Sequence, residues 1–269
     1  MRRPWLLSCV IPLLFAASCG RKPATPPADG KPQAAATDQK PAVKESVDPE
    51  SVAALKEMSA YLGTLQSFDL VSSGSLDAVT QTDQRVQIDG VAHYKAKRPA
   101  GIWLDFESDL KHRRFFYDGK NFTIYSPKLG FYASTSAPPT NRELLKKLYD
   151  DYGIKLPLED LFRWNDADES DIKALTSGFY VGEAKIDGTP TDHWAFRQGD
   201  FDWEVWIDQG ERPLPRKLVI IDRSDVTRPT YTTRLKWTVN PTFAADTFTF
   251  KPDKDAKRIQ LAQFRGDSK

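Results

Sequence analysis

The chain has 269 residues, and its 38 basic and 37 acidic side chains give a formal net charge of +1. A nearly neutral chain lacks the positive patch expected of a nucleic-acid-binding protein, which argues against that class of partner. Both cysteines, Cys9 and Cys19, precede the segment in which hydrophobic periodicity begins. We therefore expect a folded domain without a disulfide, held together by a packed core.

The N-terminus is typical of a bacterial lipoprotein signal peptide. Arg2 and Arg3 are followed by the apolar segment 5–17 and by small residues immediately before Cys19. The apolar segment is shorter than the about 20 residues that span a bilayer. We therefore predict a signal peptide over residues 1–18 and lipidation of Cys19. The alternative is an ordinary signal peptide in which Cys19 has no role.

Lipidation of Cys19 predicts a stable membrane anchor. Two or three acyl chains, palmitate among them, hold a protein firmly, whereas one chain does so only marginally. In Gram-negative lipoproteins an aspartate after the lipidated cysteine often signals retention in the inner membrane, and this chain has Gly20 there. We expect the mature protein to lie at the outer membrane, facing the periplasm.

A tether separates this anchor from the folded domain. The segment 19–47 is rich in proline, alanine, lysine and threonine and is predicted to be disordered. The domain is expected over residues 48–260, followed by a flexible tail, 261–269. Asp48 is a favourable N-cap and Pro49 suits the first helical turn, so the domain should begin with a helix. One apolar stripe supports this helix: Val52, Leu55, Met58, Leu62 and Leu65.

Alternation of apolar and polar residues then predicts a series of strands. The segments with this pattern include residues 86–88, 102–106, 122–124, 201–207, 218–221, 231–239 and 248–250. The pairs Asp118-Gly119 and Asp187-Gly188 favour tight hairpin turns. Strands joined by such turns are expected to pair in an antiparallel sheet.

A helical block interrupts the strands. Thr140 and Glu143 form a capping box, apolar residues follow at helical spacing, and Gly153 is expected to end the helix. A second short helix is predicted over residues 157–164. The order of helix, strands, two helices and strands indicates an α+β fold in which the helices cover one face of a single sheet.

Four longer segments carry a family resemblance: RRFFYDGK (113–120), YGIKLPLEDL (152–161), DHWAFRQ (192–198) and WEVWIDQGERPLPRKLVI (203–220). With them the chain resembles a family of uncharacterised bacterial proteins described as predicted periplasmic. This domain of unknown function is related to the LolA/LolB-like lipoprotein carriers. The resemblance implies a single strongly curved antiparallel sheet, an open half-barrel, with an N-terminal helix and a two-helix insertion over its concave face. It also implies an apolar cavity for acyl chains.

The sequence offers no signature of a catalytic or metal site. The three histidines, His93, His112 and His193, are far apart, and the chain has no nucleophile elbow, phosphate-binding loop or dinucleotide fingerprint. Residues 166–171 start like a calcium loop but lack the glycine and glutamate that such a loop requires. We therefore predict a protein that is not an enzyme and uses no cofactor or metal.

Aromatic residues on the predicted strands are the candidates for ligand binding. Trp203 and Trp206 are three residues apart and should point to opposite faces of the sheet. The candidate cavity is lined by Ile102, Leu104, Phe106, Phe201, Trp203 and Trp237. The same side chains could instead fill a core. In a further alternative, an exposed Trp206 or Trp103 stacks on sugar rings.

A second notable segment, 212–217, carries three cations and two prolines. The prolines favour a rigid turn before the strand at Leu218, and we interpret the segment as such a turn. The alternative is that its cations meet anionic head groups.

These features predict a membrane-anchored lipoprotein that binds a lipid, a lipoprotein acyl chain or a similar hydrophobic ligand in the cavity of a curved sheet. The alternative is a structural or assembly partner in the cell envelope, with a core filled by its own side chains and a surface that binds another envelope protein. An enzyme that modifies envelope polymers is the least favoured interpretation, because no catalytic motif supports it.

The lipidation site can be tested by metabolic labelling with palmitate. We expect Cys19→Ala to abolish labelling, because the acylated thiol is removed. Cys9→Ala, which changes the other cysteine of the signal peptide, is the matched control and should leave labelling intact. Labelling that persists in Cys19→Ala would show that the anchor lies elsewhere.

Overall fold

The computed structural model describes residues 46–156, 158 and 172–262. The predicted signal peptide, Cys19 and nearly all of the predicted tether lie outside the described residues. The same holds for most of the second predicted insertion helix, 157–164, and for the calcium-like segment 166–171.

The described residues form two long helices and twelve strands. The helices are α1 (Pro49–Thr64) and α2 (Asn141–Tyr152). The strands before α2 are β1 (Ser67–Val79), β2 (Arg85–Lys97), β3 (Ile102–Ser108), β4 (His112–Tyr117), β5 (Asn121–Ser126) and β6 (Phe131–Ser136). The strands after α2 are β7 (Leu175–Ile186), β8 (Thr189–Gln198), β9 (Phe201–Asp208), β10 (Pro215–Asp222), β11 (Thr230–Val239) and β12 (Lys257–Arg258). None of the helices in the described part combines the length and apolar character needed to cross a bilayer.

All twelve strands belong to one curved, open sheet. Their order is β12-β6-β5-β4-β3-β2-β1-β11-β10-β9-β8-β7, and every neighbouring pair is antiparallel except β12 with β6. The predicted hairpins at Asp118-Gly119 and Asp187-Gly188 are confirmed as the β4–β5 and β7–β8 turns. The sheet begins and ends on different strands, so it is a single layer that does not close into a barrel.

Both long helices begin where the local sequence predicts. The Asp48 side chain accepts a hydrogen bond from the Glu50 backbone N–H at 3.0 Å, which caps α1. At α2 the Glu143 N–H donates to the Thr140 hydroxyl at 3.3 Å. Gly153 ends α2 in the left-handed conformation, at a φ of 63°.

One predicted strand is wrong. Residues 248–250 form an irregular segment that pairs with no strand, although they alternate as a strand would. The alternation has another cause, because Phe250 packs on the sheet surface with ring centroids 5.0–5.5 Å from Phe116, Tyr125 and Tyr132. The chain then continues to β12, which covers the β6 edge and so protects it from pairing with another molecule.

The core lies on one face of the sheet, here called the inner face. Leu55, Met58 and Leu62 of α1 and Leu144 and Leu148 of α2 are at most 1% exposed. They share one apolar cluster with side chains from most strands of the sheet, including β1–β5 and β7–β11. Burial of this area is the main favourable contribution to stability.

Small residues allow the strands to approach closely at the centre of the inner face. Gly74 of β1 lies directly opposite Gly90 of β2 and Thr233 of β11. A Cβ atom on Gly74 would lie 2.3 Å from the Thr232 carbonyl oxygen, far inside van der Waals contact. Glycine is therefore required at position 74 by sterics, because a neighbouring strand approaches closely there.

Tyr117 fixes the entry to α2. Its side chain is fully buried, and its hydroxyl donates to the Pro138 carbonyl oxygen at 2.5 Å. Burial, with smaller contributions from the carboxylates of Glu143 and Asp118, raises the pKa of Tyr117 to about 12. The folded protein therefore favours the neutral phenol, and this contribution to stability is present below pH 10 and is lost as the pH rises towards 12.

Because the strands approach closely at Gly74, a methyl group added at this position should lower the stability of the fold. We expect Gly74→Ala to lower the free energy of unfolding by about 1–3 kcal/mol, because the strands must move apart. Gly63→Ala is the matched control, since nothing lies within 4 Å of a Cβ at that helical position. It should be neutral or stabilise by up to about 1 kcal/mol. Urea unfolding measures both; equal stability of the two variants would contradict the proposed crowding.

The Tyr117 hydrogen bond predicts a pH-dependent effect. Tyr117→Phe should lower the free energy of unfolding by about 1 kcal/mol at neutral pH, because the Pro138 carbonyl loses its donor. The variant should also lose less stability than the wild type between pH 10 and 12, since it has no phenol to ionise. Denaturant unfolding across this pH range measures both quantities. Parallel pH curves for the two proteins would contradict the assignment.

Candidate functional site

The inner face is built from rows of side chains that lie opposite one another on neighbouring strands. The lower row, nearest the start of α2, contains Thr135, Phe122, Tyr117, Ile102, Ala96 and Phe68. The middle row contains Ala133, Ile124, Phe115, Leu104, Tyr94, Leu70 and Trp237. The upper row contains Phe131, Ser126, Arg113, Phe106, Ala92, Ser72 and Leu235. Polar side chains are concentrated in the upper row.

The six candidate cavity residues all lie on the inner face, but most of them are closed off. Leu104 is 0% exposed, and Trp203, Ile102 and Trp237 are 5%, 8% and 9% exposed. They belong to the same apolar cluster as the buried faces of α1 and α2. Phe106 and Phe201 are only partly buried, at the edge of this cluster. The side chains available to a ligand in this structure therefore lie outside the sealed part of the cluster, mostly towards the strand ends.

One group of inner-face side chains stays accessible, and we call it the rim: Phe106, Arg113, Ile124 and Phe131. Phe131 is 39% exposed, and the other three are partly buried. Phe106 lies opposite Arg113, and Arg113 is hydrogen-bonded to Ser126, which lies opposite Phe131. The rim is thus a continuous patch over β3–β6, apolar except at Arg113 and its serine partner.

The position of α2 explains why, among the described residues, this end of the face is left accessible. The Asn141 side chain accepts from the Gly101 N–H at 3.0 Å and donates to the Lys97 carbonyl at 2.9 Å. These bonds place the start of α2 at the β2–β3 turn, beside the lower row. Three of the rim residues, Phe106, Arg113 and Phe131, lie in the upper row, about 13 Å from the lower row for four residues of extended chain. Ile124 lies between these two rows.

The sequence interpretation missed Arg113 and Phe131 as site residues. A usable signal exists for Arg113, because it alternates with Phe115 and Tyr117 and must share their face of β4. Phe131 starts a short strand with little periodicity, so its face is set only by pairing with neighbouring strands.

The outer face carries the histidines, and each has a carboxylate partner. His93 contacts Asp69 at 2.8 Å. The other two pairs are His112 with Asp105 at 2.7 Å and His193 with Glu204 at 2.6 Å. Within residues 46–156, 158 and 172–262, no group of three or more potential ligand side chains is placed to hold a metal ion.

Trp206 also lies on the outer face, which confirms that Trp203 and Trp206 point to opposite sides of β9. The His193 ring stacks on it at 3.8 Å and 12°, and the Lys217 ammonium lies 4.0 Å from the ring centroid. Only 7% of Trp206 is exposed. Both ring faces are occupied, so Trp206 does not offer a platform for a sugar.

The segment 212–217 forms the predicted turn, and β10 begins in it, at Pro215 rather than at Leu218. Arg216 donates through Nε and Nη2 to the Asp208 carboxylate at 2.6–2.9 Å. The Pro215 carbonyl accepts from Trp237 Nε1 at 2.8 Å. Two of the three cations, Arg216 and Lys217, are therefore engaged within the protein, which favours a structural role for this segment.

Comparison with solved structures finds matches at low sequence identity. An uncharacterised conserved protein from Thermus thermophilus matches with a TM-score of 0.46 and 10% identity, over 78% of this chain and 99% of that one. The lipoprotein LppX of Mycobacterium tuberculosis matches with a TM-score of 0.42 and 12% identity, over 74% and 100%. A LolA superfamily protein from Nitrosomonas europaea matches with a TM-score of 0.31 and 10% identity, over 74% and 97%.

The sequence comparisons give a more definite result. Comparison with curated proteins gives no match. A family model described as "Predicted periplasmic protein (DUF2092)" matches residues 51–262, which is nearly all of the folded domain. The resemblance seen in the sequence is therefore confirmed: the chain belongs to the DUF2092 family of predicted periplasmic proteins.

Proposed function

We propose that this protein is a lipoprotein of the outer membrane, anchored through Cys19, that binds an acyl chain or a similar hydrophobic ligand at the rim. The observation that carries the proposal is the accessible apolar patch of Phe106, Ile124 and Phe131. It continues a buried apolar face instead of standing alone on a polar surface. Hydrocarbon chains need such a surface, since they make no directional bonds.

The free energy gained by burying a hydrocarbon chain is large enough for a carrier. Each methylene removed from water contributes about 0.8 kcal/mol, so about eight of them would contribute roughly 6 kcal/mol. The loss of translational and conformational freedom on binding offsets part of this gain. The result is reversible binding, which suits a protein that must also release its ligand.

The buried side chains of the lower and middle rows restrict where the ligand lies. Leu104 and Tyr117 are fully buried and share the apolar cluster with Leu144 and Leu148 of α2. A chain reaching these rows would have to displace α2, which is held by Asn141 and the Tyr117 hydroxyl. We therefore place the ligand along the rim, over the part of the sheet that α2 leaves accessible.

A role as an assembly partner is the second candidate, and two observations favour it. The inner core is filled by the protein's own side chains. In addition, Phe179, Tyr180 and Val181 on the edge strand β7 are 41–49% exposed. The backbone of Gly178 on this edge is already hydrogen-bonded to Ser46 and Asp48. An apolar edge strand that is accessible beyond such a contact is a common site of strand addition by another protein.

The rim can be tested with N-phenyl-1-naphthylamine, an uncharged fluorescent probe for apolar sites. We expect the wild type to bind it and Phe131→Asn to weaken binding about fivefold, which corresponds to about 1 kcal/mol of lost apolar contact. Phe179→Asn is the matched control, because it removes an exposed phenylalanine from β7, and it should leave the dissociation constant unchanged. A larger effect of Phe179→Asn than of Phe131→Asn would favour the β7 edge over the rim.

A further inference from the structure

The rim contains a cation, and we propose that its ligand is an amphiphile whose anionic head group is held by Arg113. The inference rests on the proposed function and specifies it further. The hydrocarbon part lies on Phe106, Ile124 and Phe131, and the guanidinium binds a pair of anionic oxygens, as in a carboxylate or a phosphate.

The position of Arg113 is the first argument. It lies in the upper row, directly opposite Phe106 and beside Ser126, and it is partly buried. Phe115, two residues further along the same face of β4, begins the apolar middle row about 7 Å away. An amphiphile with its head at Arg113 thus meets apolar side chains within the length of a few methylenes.

The charge balance is the second argument. Arg113 donates through Nη1 to the Ser126 hydroxyl at 2.6 Å and to the His112 carbonyl at 2.9 Å, and both acceptors are neutral. None of the ion pairs formed among the described residues includes Arg113. Its sequence neighbour Arg114 points to the outer face and pairs with Asp105 at 2.9 Å. A partly buried cation without a counter-charge is unfavourable, so an anionic ligand would relieve this cost.

The geometry of the remaining nitrogens is the third argument. Both hydrogen bonds of Arg113 use Nη1, so the edge formed by Nε and Nη2 makes none with the described residues. This edge is the one that arginine commonly presents side-on to two oxygens of a carboxylate or phosphate. Arg216 uses it in this way on Asp208 elsewhere in this protein.

Among the described strands, the carboxylates of the inner face are remote from Arg113. The inner-face carboxylate at the upper end of β10, Asp222, accepts from Ser224 and lies five strands from β4. That separation is about 24 Å measured along the sheet. Asp105 and Glu107 flank Arg113 in register but alternate to the outer face. An anionic head group at Arg113 therefore meets one positive charge and, among the described strands, no adjacent carboxylate on its own face.

The test compares four ligands with the same hydrocarbon chain: dodecanoate, dodecyl phosphate, dodecanol and dodecyltrimethylammonium. The protein is the chain from residue 19 onward with Cys19→Ser, so that neither its own lipid nor detergent competes. Displacement of N-phenyl-1-naphthylamine below the micellar concentration gives each affinity. We expect both anions to bind at least about tenfold more tightly than dodecanol and the cation to bind more weakly. The preference should shrink as salt concentration rises.

Substitutions of Arg113, with Arg114 as the control position, test whether the Arg113 guanidinium binds the head group. Arg113→Gln should bind the anions no more tightly than it binds dodecanol, and Arg113→Lys should keep only part of the preference. Arg114→Gln, one residue along on the opposite face, should behave as the wild type. A stronger preference for dodecyl phosphate would indicate a phospholipid source, and a stronger preference for dodecanoate a fatty-acid source; either supports the inference.

Two outcomes distinguish failure of this inference from failure of the proposed function. Equal binding of dodecanoate and dodecanol by the wild type would overturn the anionic head group and leave the hydrophobic site standing. Failure of the probe and of all four amphiphiles to bind would overturn the proposed function itself, and the inference with it.

Discussion

Everything in this fold depends on the burial of one face of a single open sheet beneath two helices. A sheet that does not close cannot bury its interior by itself, so the apolar stripes of α1 and α2 must cover it. Leu55, Met58 and Leu62 do this from one helix, and Leu144 and Leu148 from the other. The hydrogen bonds of Asn141 and Tyr117 then determine which part of the face α2 covers. What α2 leaves accessible becomes the candidate site.

The outer face differs from the inner face, because several of its polar and charged side chains are paired with one another. The three histidines have carboxylate partners, and Trp206 is enclosed between His193 and Lys217. The segment after β11 adds Phe250 to the outer aromatic side chains and ends on the β6 edge. The outer face in the described residues is thus satisfied internally, whereas the rim combines accessible apolar surface with a cation whose hydrogen-bond acceptors are neutral.

Local sequence signals predicted the elements whose causes are themselves local. The caps at Asp48, Thr140 and Gly153 act within a few residues, and all three are where the sequence indicates. The alternation over 102–106 and 201–207 likewise predicts strands and places Trp203 and Trp206 on opposite faces. The prediction failed at 248–250, because the same alternation arises when aromatic side chains pack onto a sheet without backbone pairing.

The sequence by itself therefore determined the class of fold, the family and the face to which the side chains of the regularly alternating strands point, and it predicts an anchor at Cys19. Only the tertiary structure decided which inner-face residues are sealed and which are accessible. Leu104 and Phe106 are equivalent in the sequence pattern, yet Leu104 is fully buried and Phe106 belongs to the rim. The same holds for Arg113 and Arg114, adjacent cations of which only the second finds a carboxylate among the described residues. The physical reason is that periodicity records orientation along one strand, whereas burial and charge pairing depend on neighbours that are distant in the chain.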